Sequence, residues 1–142
     1  MINVLFLCTG NSCRSQMAEG WAQYLKDDNF QFFSAGTQKH GLNPHAVEVM
    51  KEVGVDISKH QSKTIDELPT QNMDFVITVC SDAHETCPYF PGTGRVIHRG
   101  FDDPPRLTQK MTNTTEALNV YRRVRDEIKD FILDLENQLE NL

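Results

Sequence analysis

Ile2-Asn3-Val4-Leu5-Phe6-Leu7 runs directly into Cys8-Thr9-Gly10-Asn11-Ser12-Cys13-Arg14-Ser15, and from there into a stretch with a different rhythm. The first six residues are nearly all apolar, the pattern of a strand buried on both faces of a parallel sheet. From Ser12 to about Lys26, Met17, Trp21 and Leu25 recur every fourth residue, with Ala18 and Tyr24 beside them, which predicts a helix. Small and polar residues fill the gap between the two. This strand–loop–helix order decides the fold class.

The remaining chain repeats the alternation. Gln31-Phe32-Phe33-Ser34-Ala35 reads as a second strand, ended by Gly36. Asn43-Pro44 reads as a helix cap followed by proline at the first helical position. Val47, Met50 and Val53 give that helix its apolar stripe, and Gly54 is placed to end it. Thr64-x-x-Glu67 is the pattern of a capped short helix, with Pro69 soon after. Met73 to Cys80 is a third buried strand and Arg95-Val96-Ile97-His98 a fourth. Ala117, Val120, Tyr121, Val124, Ile128, Phe131, Ile132, Leu135 and Leu139 mark a long amphipathic last helix. The expectation is an α/β, doubly wound, four-stranded parallel sheet with helices on both faces, formed by residues 1–142 as one domain. In such sheets ligands bind where strand C-termini meet helix N-termini. Cys8 and Cys80 both end strands in this reading.

Composition narrows the function classes. The 142 residues carry 20 Asp and Glu against 14 Lys and Arg, a formal charge of −6, which argues against a general nucleic-acid binder. No apolar run approaches the roughly 18 residues of a membrane span. The apolar start has no basic region before it and no small-residue cleavage site after it, so a cytoplasmic location without a signal peptide is expected. Four cysteines in such a chain are not a disulfide scaffold. Their spacings, C-x4-C and C-x6-C, also depart from the C-x2-C typical of structural zinc. Inert buried thiols and a catalytic or redox role remain.

The loop of residues 8–15 carries the chemistry. Gly10 and Asn11 are residue types that tolerate unusual backbone angles. A loop that curls with its N–H groups inward, at a helix N-terminus, binds tetrahedral oxyanions. The nucleotide pattern G-x-x-x-x-G-K-[ST] is absent. Helix N–H groups and a guanidinium six residues on favour the thiolate of Cys8. Arg14 has the planar fork that grips two oxyanion oxygens, and Ser15 is placed to donate to the thiolate.

At these residues the chain resembles the low-molecular-weight protein tyrosine phosphatase superfamily. The fuller run from Cys8 to Gly20 is more similar to the thioredoxin-coupled arsenate reductases built on that fold. The resemblance extends through Ser34-Ala35-Gly36, Val79-Cys80-Ser81-Asp82, Gly100-Phe101-Asp102-Asp103-Pro104 and Arg122-x-x-Arg125-Asp126-Glu127-Ile128. It implies reduction of arsenate to arsenite, in arsenic detoxification, with Cys8, Cys80, Cys87, Arg14 and Asp103 as catalytic residues. Thr9, Gly10, Asn11, Ser12, Cys13, Arg14 and Ser15 would form the oxyanion-binding loop. It also implies a Cys8–Cys80 intermediate disulfide, a Cys80–Cys87 product disulfide, thioredoxin as electron donor, no cofactor, no metal, no nucleic-acid or membrane partner, and a monomer.

Three readings share the loop. A phosphatase hydrolyses its cysteinyl adduct with water and needs no further thiol, whereas a reductase needs the Cys80-x6-Cys87 pair. Phosphatases also tend to carry aromatic residues after the Asp-Pro pair, where Pro105-Arg106 stands here. A non-enzymatic oxyanion-binding module would leave Asp103 without a task. Asp102 is an adjacent candidate for the acid. Cys13 has no required step and is expected to pack. If residues 81–87 are helical, their ends lie about 10 Å apart, beyond the roughly 7 Å that a disulfide spans. That segment is therefore expected to unwind on oxidation. Some family members bind potassium beside the loop. Asn11, Glu19 and Ser34 fall at matching positions, but Lys63 stands where some members have an acid. His40, His45 and His60 read as surface residues and Trp21 as core.

Overall fold

In the computed structural model of the chain, residues 1–81, 90 and 94–140 are described. The first strand, β1, spans Ile2–Cys8 and is followed by helix α1, Arg14–Leu25. Strand β2 is Phe30–Gly36 and helix α2 is Pro44–Glu52. A 3-10 turn over Ile65–Glu67 precedes β3, Phe75–Thr78, and β4, Arg95–His98. Helices α3, Pro104–Thr108, α4, Thr114–Leu133, and α5, Leu135–Glu140, complete the described elements.

The sheet has the order β2-β1-β3-β4 and every pairing is parallel. The chain leaves β1 for one neighbour, β2, and returns on the other side to β3. The carboxyl end of β1 is therefore the switch point of the sheet, where a crevice opens. Residues alternate strictly between the faces of β1. Val4, Phe6 and Cys8 join the core beneath α1, α2, α4 and α5, while Leu5 and Leu7 join a smaller cluster on the other face. That second face is covered by Leu68, Met73 and Phe90, with Ile65 of the 3-10 turn packed alongside. This is the α/β doubly wound, four-stranded parallel sheet that the alternation implies.

Local signals explain most boundaries. The Asn43 side chain accepts from the N–H groups of His45 and Ala46, and Pro44 follows at the first helical position. Glu67 accepts from the Thr64 N–H at 3.0 Å, completing a capping box. Trp21 is 2% exposed and its Nε1 donates to Arg125 O, tying α1 to α4. Truncating such a buried ring costs about 3–5 kcal/mol.

The structure differs from the sequence reading in several places. β3 ends at Thr78, so Cys80 lies two residues beyond it. The last apolar stripe is divided at Asp134, whose N–H closes α4 and whose carboxylate accepts from Asn137 and Gln138 of α5. Periodicity continues through Leu135 and Leu139, and so conceals the break. Helix α3 was not anticipated, because two prolines open it. Proline suits the first turn of a helix, where its missing N–H has no partner to lose. Among the described residues, no helix is long and apolar enough to cross a membrane.

Candidate active site

The loop between β1 and α1 is shaped from outside. Thr9 O accepts from the N–H groups of Thr37 and Gln38, and Gly10 O from those of His40 and, through Ser62 Oγ, the following segment. Asn11 O accepts from Gln16 Nε2, Ser12 O from Asn43 N–H, and Cys13 O from Met17 N–H. With each of these carbonyls turned outward, the peptide N–H groups are left to line the inside. Gly36 lets this happen. A Cβ there would lie 2.6 Å from Thr9 O and 2.8 Å from Asn11 N, so only glycine lets β2 approach the loop. The left-handed turn within the loop is made by Asn11 at φ 47°, and Gly10 is not among the glycines at positive φ. Gly10 serves a different need, because a Cβ there would sit 2.2 Å from His40 Nδ1.

Behind the loop runs a buried chain of side-chain bonds. Asn11 Oδ1 accepts from the Lys63 N–H at 2.9 Å, which assigns its oxygen, since a peptide N–H only donates. Asn11 Nδ2 therefore donates to Ser15 Oγ at 2.9 Å. The Ser15 hydrogen is left for Cys8 Sγ, 2.8 Å away. Gln16 Nε2 reinforces the turn with bonds to Asn11 O, Asn11 Oδ1 and Gln61 O. Gln16 Oε1 in turn faces His60 Nδ1 at 3.1 Å, so that nitrogen carries a hydrogen.

Inside the loop lies a cleft of about 270 Å³. Cys8, Thr9, Gly10, Ser12, Cys13 and Arg14 form its floor. The structure thus divides the predicted loop, since Asn11 and Ser15 are fully buried behind it and outside the cleft lining. Arg14 is 5% exposed, and its Nη1 donates to Phe101 O at 3.2 Å. Its Nη2 lies 3.6 Å from Asp103 Oδ1. Asp103 lines the cleft, whereas Asp102 points away and pairs with Arg123 at 3.0 Å. Of the two neighbouring acids, Asp103 is the one that lines the cleft. Burial pushes the Cys13 thiol up, against the opposing pull of Arg14, so it stays protonated.

Cys80 is fully buried and disulfide-bonded, while Cys8 and Cys13 are free. Cys87 lies outside the described residues, as do Pro88 and Pro91 and most of the segment expected to unwind. The register pairs Leu7 with Thr78, and Val79 N–H continues to Leu7 O at 3.0 Å. The chain at Cys80 therefore leaves β3 alongside the end of β1.

Several site residues escaped the sequence reading. His40, Asn43 and Pro105 form the rim of the cleft with Asp103. His40 reads as one of five scattered histidines, and only the long-range bond of its N–H to Gly10 O brings it over the loop. Gln16 and His60 carry no signal beyond their polarity. The residues at the potassium-like positions do not fit a cation. The Ser34 hydroxyl and Gln23 amide donate to the two oxygens of Glu19, Asn11 Oδ1 is occupied by two donors, and Lys63 Nζ turns to Gln61 O.

Comparison with known proteins gives this geometry its context. Arsenate reductase 2 of Staphylococcus epidermidis is 47% identical over 129 residues, which is 91% of this chain and 92% of that protein. A solved arsenate reductase in its oxidized state superposes with a TM-score of 0.76 at 30% identity, covering 98% of this chain and 99% of the other. The low molecular weight protein tyrosine phosphatase of T. tengcongensis does so with 0.72 at 28% identity, covering 97% and 99%. The pattern of low molecular weight phosphotyrosine protein phosphatases matches residues 3–141. The match runs across nearly the whole chain, which belongs to the low molecular weight phosphotyrosine protein phosphatase family.

Proposed function

We propose that this protein reduces arsenate to arsenite, with Cys8 as nucleophile, Cys80 and Cys87 as the thiols that supply electrons, and thioredoxin as their reductant. The observation that carries the reading is the adjacency of the two strand ends, with Cys8 closing β1 and Cys80 following β3 in a paired register. The similarity to relatives named arsenate reductase supports it.

The residues divide the reaction as follows. Loop N–H groups and Arg14 hold the oxyanion, and the Ser15 hydroxyl stabilises the Cys8 thiolate. The thiolate attacks arsenic, an As–O bond breaks, and Asp103 supplies the proton to the leaving oxygen. Cys80 then attacks Cys8 Sγ. The S–As bond breaks, its electron pair stays on arsenic as arsenite, and a Cys8–Cys80 disulfide forms. Cys87 attacks Cys80 and frees Cys8, and the two electrons of a thioredoxin dithiol reduce the Cys80–Cys87 bond. Val79 shares the core cluster of Cys8, so an extended Cys80 faces the opposite side. The second step therefore requires the chain to turn at Cys80.

The test is arsenate-dependent NADPH oxidation with thioredoxin and its reductase. Wild type should turn over, and Cys8→Ser, Cys80→Ser and Cys87→Ser should each lose sustained turnover. Normal turnover by all three variants would overturn the thiol relay.

A further inference from the structure

We propose that His40 sets the substrate selectivity of the cleft, favouring a bare tetrahedral oxyanion over an ester that carries an organic group. This rests on the reductase reading only in taking the bare oxyanion as the substrate. An oxyanion seated on the loop directs its fourth substituent outward, between the walls of the rim. That rim is made by His40, Asn43, Asp103 and Pro105.

The ring is held at two points. Its backbone N–H donates to Gly10 O at 3.1 Å, and its Nε2 lies 2.8 Å from Gln38 Oε1. With Nε2 engaged by Gln38, Nδ1 is the ring nitrogen left for the cleft side. Nδ1 is the atom pressed onto the loop, next to where a Gly10 Cβ would stand. An imidazole nitrogen can hydrogen-bond an oxygen or hydroxyl of the oxyanion, and a hydrocarbon offers it nothing. The described lining also contains no Phe, Tyr or Trp face on which an aryl group would stack. An ester would bury its organic group against a polar nitrogen and leave that nitrogen without a partner.

The experiment uses the full chain and two probes, p-nitrophenyl phosphate as ester and orthophosphate as bare oxyanion. The readout is kcat/KM for the ester multiplied by the inhibition constant of orthophosphate, which cancels any change common to both. His40→Ala should raise this product about tenfold, the scale of one altered pocket contact. Gln38→Ala releases Nε2 without touching the cleft lining and should move it the same way by a smaller factor. It also decides the matter if His40→Ala does not fold. A product within twofold of wild type in the folded variants, or a fall, overturns the assignment. Arsenate-dependent NADPH oxidation by wild type runs beside these assays, and its failure counts against the reductase reading alone.

Discussion

Asn11 Nδ2 donates to Ser15 Oγ at 2.9 Å, and through that bond a residue outside the cleft directs the hydrogen that reaches Cys8. Reversing the bond should disable the nucleophile. In Asn11→Asp a carboxylate stands where the amide donated, so Ser15 turns its hydrogen toward residue 11. Ser15→Ala removes the donor outright. A hydrogen bond to a charged group is worth about 1.5–3 kcal/mol, so both variants should lose roughly 10–100-fold in the rate of the first step. The burst of Cys8 adduct formation measures it. A burst as fast as wild type in both would show that the Ser15 hydrogen does not serve the thiolate.

Gln16 tests the scaffold rather than the chemistry. Its amide hydrogens face three oxygens, Asn11 O, Asn11 Oδ1 and Gln61 O, in a fully buried position. Gln16→Glu replaces the donor with an acceptor against those oxygens. The expected loss is about 2–4 kcal/mol of folding stability, read from the urea midpoint at unchanged slope. A midpoint shift below about 0.5 kcal/mol would mean that the oxygens find other donors.

The neighbouring acids should behave in opposite ways. Asp103 faces the cleft with its side chain 26% exposed, and Asp102 is 58% exposed and paired with Arg123. Loss of a general acid costs roughly 100–10,000-fold. Asp103→Asn should therefore slow adduct formation on that scale, while Asp102→Asn stays within about threefold, the range of a surface ion pair. Equal effects of the two substitutions would reject the assignment.

Helices α2 and α4 are joined by a carboxylate with a pH signature. Glu52 takes three bonds from Arg122, through Nε and Nη2, and one from Arg125, which also donates to Val49 O. Hydrogen bonding from Arg122, then the charges of Arg122 and Arg125, holds its carboxyl below the usual range. A lowered folded value stabilises the protein above the ordinary pKa, and the gain disappears as pH falls through the lowered value. Because the side chain is 35% exposed, solvent screening limits the effect to about 1 kcal/mol. Glu52→Gln should thus lower Tm by a few degrees at pH 7, with the difference closing below about pH 4. A Tm gap that is constant from pH 7 to pH 3.5 would argue against the linkage.

The loop and its immediate support were legible because their chemistry is local. Cys8, Arg14 and Ser15 lie within eight residues at a strand–helix junction, where residue type and position carry the same message. Asp103 was legible only through family resemblance, and its separation from Asp102 came from Arg123, twenty-one residues away. The rim and the outer support were not legible. His40, Asn43 and Ser62 act on the loop through bonds that span 30 to 52 residues. Two backbone N–H groups and a lone serine hydroxyl leave no recognisable pattern in the sequence. Gly36 was read as a strand terminator, but its reason is the approach of Thr9 O and Asn11 N, which only a folded chain reveals.

The outward carbonyls of the oxyanion loop have one more consequence. Their partners belong to the scaffold, so the cradle keeps its shape before anything binds and spends no energy rearranging. Such a rigid mould senses size and charge but is blind to the central atom. Phosphate, abundant in any cell, should occupy it almost as readily as arsenate. Discrimination must then be kinetic, because both anions enter and leave but only one can accept an electron pair from a thiol and depart in a different oxidation state. Between these two anions, fidelity resides in an irreversible exit rather than in a selective entrance.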